Sequence, residues 1–314
     1  MVYDVKGWAW HRKAIAIQKM LNNDFQRVSI VSGKEFHKGL FAKYNHVHMF
    51  GWTDKKGCAG KYKGHTAGVS SHNFIYLHPG KAKKYLPRYS ALTATSMLIY
   101  NELKQRKLNS NIHYCPNGVD ETEFTPGPKR ENLDKFVVGW SGQPSGPGFS
   151  PSEGLDAHGY HNILLPLLIS MKDEKDIHFQ ILDRTHKNAK PWNKIPDWYR
   201  NCDVFLHTGY CTGTPNPLFE AAACGVPGIS TAIGAAPELI EGGINGYIVP
   251  RFYNKQDAEA RVDEIRHLIL KMKADVEHVK VMSKKARMII EENWTWRIRA
   301  QAWKEVFLKY RKKI

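Results

Sequence analysis

The 314-residue sequence lacks any apolar run near the roughly 18 residues that a membrane-spanning helix requires. Its first ten residues already include Asp4 and Lys6, so no leader-type apolar core opens the chain. Cysteine is scarce: Cys58, Cys115, Cys202, Cys211 and Cys224 form no CxxC pair and no zinc spacing. An odd number of scattered thiols fits a reducing compartment, and a cytoplasmic protein is expected. Also absent are a Gly-x-x-x-x-Gly-Lys-Ser/Thr loop, a His-Glu-x-x-His helix and an Asp-x-Asp at a strand end. These absences argue against a P-loop kinase, and no metal requirement is expected.

Apolar residues make up 42% and charged residues 24%, the balance of a folded globular chain. The net charge of +16 is unevenly spread. Residues 1–133 hold 21 Lys and Arg against 9 Asp and Glu, a net +12, whereas residues 134–314 hold 25 against 21, a net +4. A basic first half implies a polyanionic partner such as nucleic acid, an anionic membrane surface or a phosphorylated glycan; plain solubility is the alternative.

Short apolar segments alternate with amphipathic ones along the whole chain. In the first half, strands are expected at 2–5, 27–31, 46–50, 71–77, 91–96 and 112–115, with helices at 13–21 and 97–107. Thr125-Pro-Gly-Pro128 and the charged run after it read as a linker. A second series follows, with strands at 136–140, 177–182, 204–207 and 228–230 and helices at 161–171, 195–201, 218–224, 236–241, 256–273 and 276–292. The pattern predicts an α/β protein with two doubly wound parallel-sheet domains, 1–128 and 134–296. Ligands of such sheets bind in loops at the carboxyl ends of the strands.

The most informative stretch is Thr212-Gly-Thr-Pro-Asn-Pro-Leu-Phe-Glu220-Ala-Ala-Ala-Cys-Gly225-Val-Pro227. It reads as a small-residue loop entering a helix whose early turns hold one carboxylate. The backbone N–H groups available between Thr214 and Leu218, a stretch that includes Pro215 and Asn216, are expected to point toward an anion at the helix start. Glu220 can accept paired hydrogen bonds from two vicinal hydroxyls. A helix stabilised by an acidic early turn is the plainer reading.

This stretch resembles the signature of glycosyltransferase family 4, "EGxPxxxxEAxAxGxP". Asn201-Cys-Asp-Val-Phe-Leu206, Pro227-Gly-Ile-Ser-Thr231, Gly234-Ala-Ala-Pro-Glu-Leu-Ile240 and Asn245-Gly-Tyr-Ile-Val249 resemble the family's flanking segments in the right order. Ala94-Thr-Ser96 and Pro116-Asn-Gly-Val-Asp120 with Phe124 resemble the end of its first domain. The resemblance implies a GT-B fold, with an N-terminal acceptor domain and a C-terminal donor domain across a cleft. A final helix of about residues 297–314 would return to the first domain. It implies a retaining transferase that uses a nucleotide sugar, such as a UDP-sugar, without a metal. Glu220 matches the glutamate that binds the donor ribose. Thr212 stands where the family's first glutamate contacts the sugar, and Gly213 follows it. The basic residues that hold the diphosphate in the family correspond here to the loop Gly139-Trp-Ser-Gly142-Gln143 and to His158 before Gly159. His158 is therefore read as a phosphate donor, with a ligand-free loop histidine as the alternative.

In the first half, Gly7 follows the first strand and permits close approach of a donor or acceptor. His46 and His48 sit two apart on one strand, so they share a face, and His48 is the candidate contact to the reacting sugar; packed histidines are the alternative. His72 is a weaker candidate. Lys55, Lys56, Lys61 and Lys63, then Lys83, Lys84 and Arg88, are interleaved with Trp52, Tyr62, Tyr85 and Tyr89. Cations mixed with aromatics suit a phosphate backbone and an exposed base, so the acceptor is read as a hydroxymethylated base in DNA, as in phage-type enzymes. The alternatives are a cell-envelope glycan (lipopolysaccharide, teichoic or capsular), with peripheral membrane contact, and a non-catalytic nucleotide-sugar-binding module. The host cytoplasm, bacterial or phage-infected, is the expected location.

Overall fold

A computed structural model describes residues 1–3, 6–7, 9–52, 64–70, 79–128, 135–144, 156–184 and 190–312. These divide into two compact units, Met1–Gly118 with Trp294–Ile314, and Val119–Asn293. No described helix is long and apolar enough to cross a membrane.

The first unit is built on a six-stranded parallel sheet ordered β2-β1-β3-β4-β5-β6. The strands are β1 Val2–Tyr3, β2 Val31–Ser32, β3 Val47–Met49, β4 His65–Val69, β5 Ala91–Ala94 and β6 Ile112–Tyr114. The expected strand at 71–77 lies outside the described residues. β4 arises instead from His65–Val69, all five residues of which are buried.

The helix Trp296–Tyr310 completes this unit's core. Its Trp303 and Phe307 pack with Ala14, Ile17 and Leu21 of the helix Ala9–Leu21 and with Phe50. Trp303 Nε1 also donates to the Pro116 carbonyl at 3.1 Å. A helix remote in sequence is thus an integral part of the first unit.

The second unit holds a five-stranded parallel sheet ordered β11-β10-β9-β7-β8. Its strands are β7 Phe136–Gly142, β8 Ile177–Asp183, β9 Val204–His207, β10 Gly228–Thr231 and β11 Gly246–Val249. Every residue of β7 is buried, as a central parallel strand must be when both faces are covered. The helix Lys255–Ala274 lays Ala258, Val262, Ile265, Ile269 and Met272 on this core. The chain passes from β7 to β8 on one side and then to β9 on the other. The strand order therefore reverses between β7 and β9, the switch point at whose carboxyl ends such sheets bind their ligands.

The segment read as a linker is fastened at its start. Arg200 donates from Nε to the Thr125 carbonyl at 2.8 Å and from Nη2 to Thr125 Oγ1 at 2.7 Å. Arg287 donates to the carbonyls of Glu121, Phe124 and Ala223. Residues 119–126 accordingly belong to the second unit. Residues 129–134 lie outside the described set.

Candidate functional site

The carboxyl end of the second sheet gathers the candidate groups. The loop after β9 leads into the helix Asn216–Ala223, which places Glu220 at 8% exposure. Tyr199, fully buried on the helix Ile195–Arg200, donates its hydroxyl to Glu220 Oε2 at 2.8 Å. Burial first, and the neighbouring carboxylate second, push the Tyr199 phenol well above its ordinary range, so it remains a donor. A carboxylate buried without such a partner would be costly.

Three loops are tied together beside this pair. Trp140 of β7 donates from Nε1 to Thr208 Oγ1 at 2.9 Å, and Thr208 Oγ1 donates to the His158 carbonyl at 2.7 Å. Gly159 next to it has φ of +69°, and a Cβ there would stand 1.9 Å from the Thr208 carbonyl oxygen. Only glycine allows this approach. Gly142 closes β7 beneath the His158 backbone: a Cβ on Gly142 would meet the Trp140 ring at 2.5 Å and His158 Cβ at 3.3 Å. Gln143 follows, half-buried. His158 keeps an exposed edge, yet the protein around it lowers its pKa by desolvation, opposed by Asp156 and reinforced by Arg184. Its imidazole is thus biased toward the neutral form, which keeps one N–H to donate.

The helix start expected to receive an anion, and the tip beside Gly159, both have backbone N–H groups already engaged. Pro215 and Pro217 have no N–H, Asn216 N donates to the Thr214 carbonyl at 2.9 Å, and Leu218 N donates to the Pro215 carbonyl at 2.9 Å. Leu218 itself is a core residue, 1% exposed. At the other tip, the Asp156 carboxylate accepts from Tyr160 N and His161 N, each at 2.8 Å. The prolines and the bonds of Asn216 N and Leu218 N are the physical reason the expectation for the helix start at Asn216 fails.

Thr212 lies half-buried in the loop after β9, with Gly213 and Thr214 buried behind it. The Gly213 carbonyl accepts from Ala235 N at 2.8 Å. Gly234, φ +54°, packs against that carbonyl, where a Cβ would come within 2.2 Å.

Two site residues were not anticipated. One is Tyr199. The other is Arg184, the first residue after β8, whose backbone N donates to the Gly142 carbonyl at 2.8 Å. Its guanidinium stands 4.0 Å from Glu220 Oε2 and 5.9 Å from the Trp192 ring centre. Position at a strand's carboxyl end was the available signal.

In the first unit, His48 is not an open-face group. It is 1% exposed, its Nδ1 shares a 2.9 Å hydrogen bond with Thr66 Oγ1, and its ring meets Phe50, Trp303 and Phe307. Burial drives its pKa well below the usual imidazole value. His46 shares Thr66 Oγ1 at 3.0 Å. The packed reading of this pair replaces the catalytic one, because the final helix covers that face of the strand. Gly7 is exposed, φ +83°, and its N donates to His11 Nδ1 at 3.0 Å. Lys83 and Lys84, on the helix Pro79–Tyr85, and Arg88 after it are exposed, and Lys84 and Arg88 lie over the Tyr85 ring. Lys55, Lys56, Lys61, Lys63 and His72 lie outside the described residues. Among the described residues, no group of three or more His, Cys, Asp or Glu could hold a metal ion.

Comparison with known proteins places this site in context. Residues 174–271 match the family model described as "Glycosyl transferases group 1". The chain is 28% identical over 187 residues to a GDP-mannose-dependent alpha-mannosyltransferase of Corynebacterium glutamicum, covering 55% of this chain and 45% of that protein. It is 45% identical over 49 residues to a lipopolysaccharide core biosynthesis mannosyltransferase of Rhizobium meliloti, 16% of this chain and 14% of that one. The chain thus spans less than half the length of these relatives. Among solved structures, a glycosyltransferase from Rickettsia africae aligns over 98% of this chain and 97% of its own, with a TM-score of 0.67 at 15% identity. The two-sheet architecture is that of GT-B glycosyltransferases.

Proposed function

We propose that this chain is a retaining glycosyltransferase that takes its sugar from a nucleotide-sugar donor bound in the second unit. The observation that carries the reading is the Tyr199-held carboxylate of Glu220 at the switch point of the second sheet. Its role is to accept hydrogen bonds from the donor's ribose hydroxyls, with the loop from Thr212 to Thr214 beside the sugar. The family match and the relatives named for GDP-mannose and mannosyl transfer support it. In the retaining reaction, the acceptor oxygen bonds to the anomeric carbon on the face the diphosphate leaves. The bond from that carbon to the diphosphate oxygen breaks, and the acceptor proton passes to the departing diphosphate. The protein then has to position the reactants and stabilise the charge on the leaving group, and no metal is required.

The test is nucleoside diphosphate release from a panel of GDP-, UDP- and ADP-sugars, with and without EDTA. Release from at least one donor, unaffected by EDTA, supports the proposal, and proton NMR of the product's anomeric centre reads retention. Binding without release throughout the panel would establish a non-catalytic module instead.

For the acceptor, the relative named for lipopolysaccharide core synthesis supports a cell-envelope glycan. A DNA base is the second reading, favoured by the exposed Lys83, Lys84 and Arg88 around Tyr85 and by the net +12 of residues 1–133. Duplex affinity that does not fall steeply with salt would eliminate DNA.

A further inference from the structure

We propose that Arg184 is the residue that grips the donor's diphosphate. This rests on the reading of the second unit as a nucleotide-sugar site.

A diphosphate needs donors and positive charge. The backbone N–H groups of Asn216 and Leu218 are spent on the carbonyls of Thr214 and Pro215, and Asp156 occupies the N–H groups of Tyr160 and His161. An aspartate on that second tip also repels a phosphate. His158 is biased toward its neutral form. Among the described residues, the cation that approaches Glu220 is Arg184.

Its setting fits a grip rather than a structural ion pair. At 4.0 Å the guanidinium is beyond hydrogen-bond range of Glu220, so its fork of N–H groups is not consumed by that carboxylate. The side chain is 30% exposed, so its head can reach an incoming ligand. The backbone bond to Gly142 fixes its Cα beside β7, and the Trp192 ring limits where the head can swing. A planar guanidinium binds phosphate oxygens in pairs, which a single ammonium does not. Arg184 and Glu220 thus divide the donor between them, the arginine taking the diphosphate and the glutamate the ribose.

The test compares wild type, Arg184→Ala and Arg184→Lys for binding of UDP and GDP by calorimetry. The matching nucleosides, uridine and guanosine, are followed by ligand-observed NMR, with thermal melting as the check on folding. The expected result is a loss of at least tenfold in diphosphate affinity for Arg184→Ala, partial recovery in Arg184→Lys, and nucleoside affinity within twofold of wild type. Diphosphate affinity unchanged in Arg184→Ala, or an equal loss for nucleoside and diphosphate, overturns the assignment of Arg184 while leaving the nucleotide site standing. Failure of wild type to bind either diphosphate overturns both the assignment and the functional reading beneath it.

Discussion

Tyr199 and Glu220, on successive helices of the second unit, are joined by a 2.8 Å hydrogen bond from the phenol to Oε2. One carboxylate oxygen is thereby fixed and the group is held in a single orientation. Hydrogen bonds to a charged group contribute about 1.5–3 kcal/mol. Tyr199→Phe is expected to weaken donor binding roughly 10-fold through loss of that orientation. Glu220→Ala should weaken it by about 100-fold or more, since the proposed ribose contacts would go as well. Calorimetric titration with the active donor checks both, and a Glu220→Ala enzyme with normal turnover would remove Glu220 from the site.

Gly234 supports the loop that bears Thr212. Its φ of +54° and the 2.2 Å approach of the Gly213 carbonyl leave no room for a methyl group. Gly234→Ala should cost roughly 1–3 kcal/mol of stability and displace residues 212–214. Its expected signature is a lowered melting temperature together with a raised donor KM.

Lys13 tests the first unit's core. It is 4% exposed, its Nζ lies 4.3 Å from the Trp303 ring centre and 5.1 Å from that of Phe50, and burial brings its pKa down to about 7. Below about 7 both folded and unfolded chains hold the proton and the cost of burying it is borne in full. Between about 7 and 10.5 only the unfolded chain keeps it, so this contribution to stability rises with pH across that window. Lys13→Met should raise the melting temperature by several degrees at pH 6, through a gain on the order of 2 kcal/mol, and by little at pH 10. A variant that melts lower at pH 6 would contradict this.

His48 acts on the acid side. Burial holds its folded pKa well below 6.5, so as pH falls below 6.5 the unfolded chain gains a proton that the folded chain refuses, and stability drops. His48→Phe is expected to flatten the acid limb of a stability-against-pH curve while leaving the neutral region within about 1.5 kcal/mol. Chemical denaturation at pH 5 and pH 7.5 measures it.

Much of this fold is legible from the amino acids, because buried parallel strands are short continuous apolar runs. Phe136–Gly142 and Val204–His207 stand out for that reason. β4 does not. His-Thr-Ala-Gly-Val carries little apolar volume and follows a lysine-rich stretch, and its burial comes from neighbours on both edges rather than from its own composition. Glu220 was readable because its motif is local. Tyr199 and Arg184 were not, since they reach Glu220 from another helix and another strand with no spacing rule to link them. The helix-tip expectation fails because hydrogen-bond occupancy is a property of the folded loop: Asn216 N and Leu218 N close onto the carbonyls of Thr214 and Pro215.

The placement of Trp296–Tyr310 in the first unit constrains the order of assembly. Residues 1–118 emerge from the ribosome first but lack the indole of Trp303 and the ring of Phe307 until almost 190 further residues have been synthesised. The intervening unit can fold during that interval, leaving the earlier one with an uncovered apolar face that awaits its last helix. Such a long-range closure is slow, and it makes the first unit the part that depends most on chaperones during synthesis.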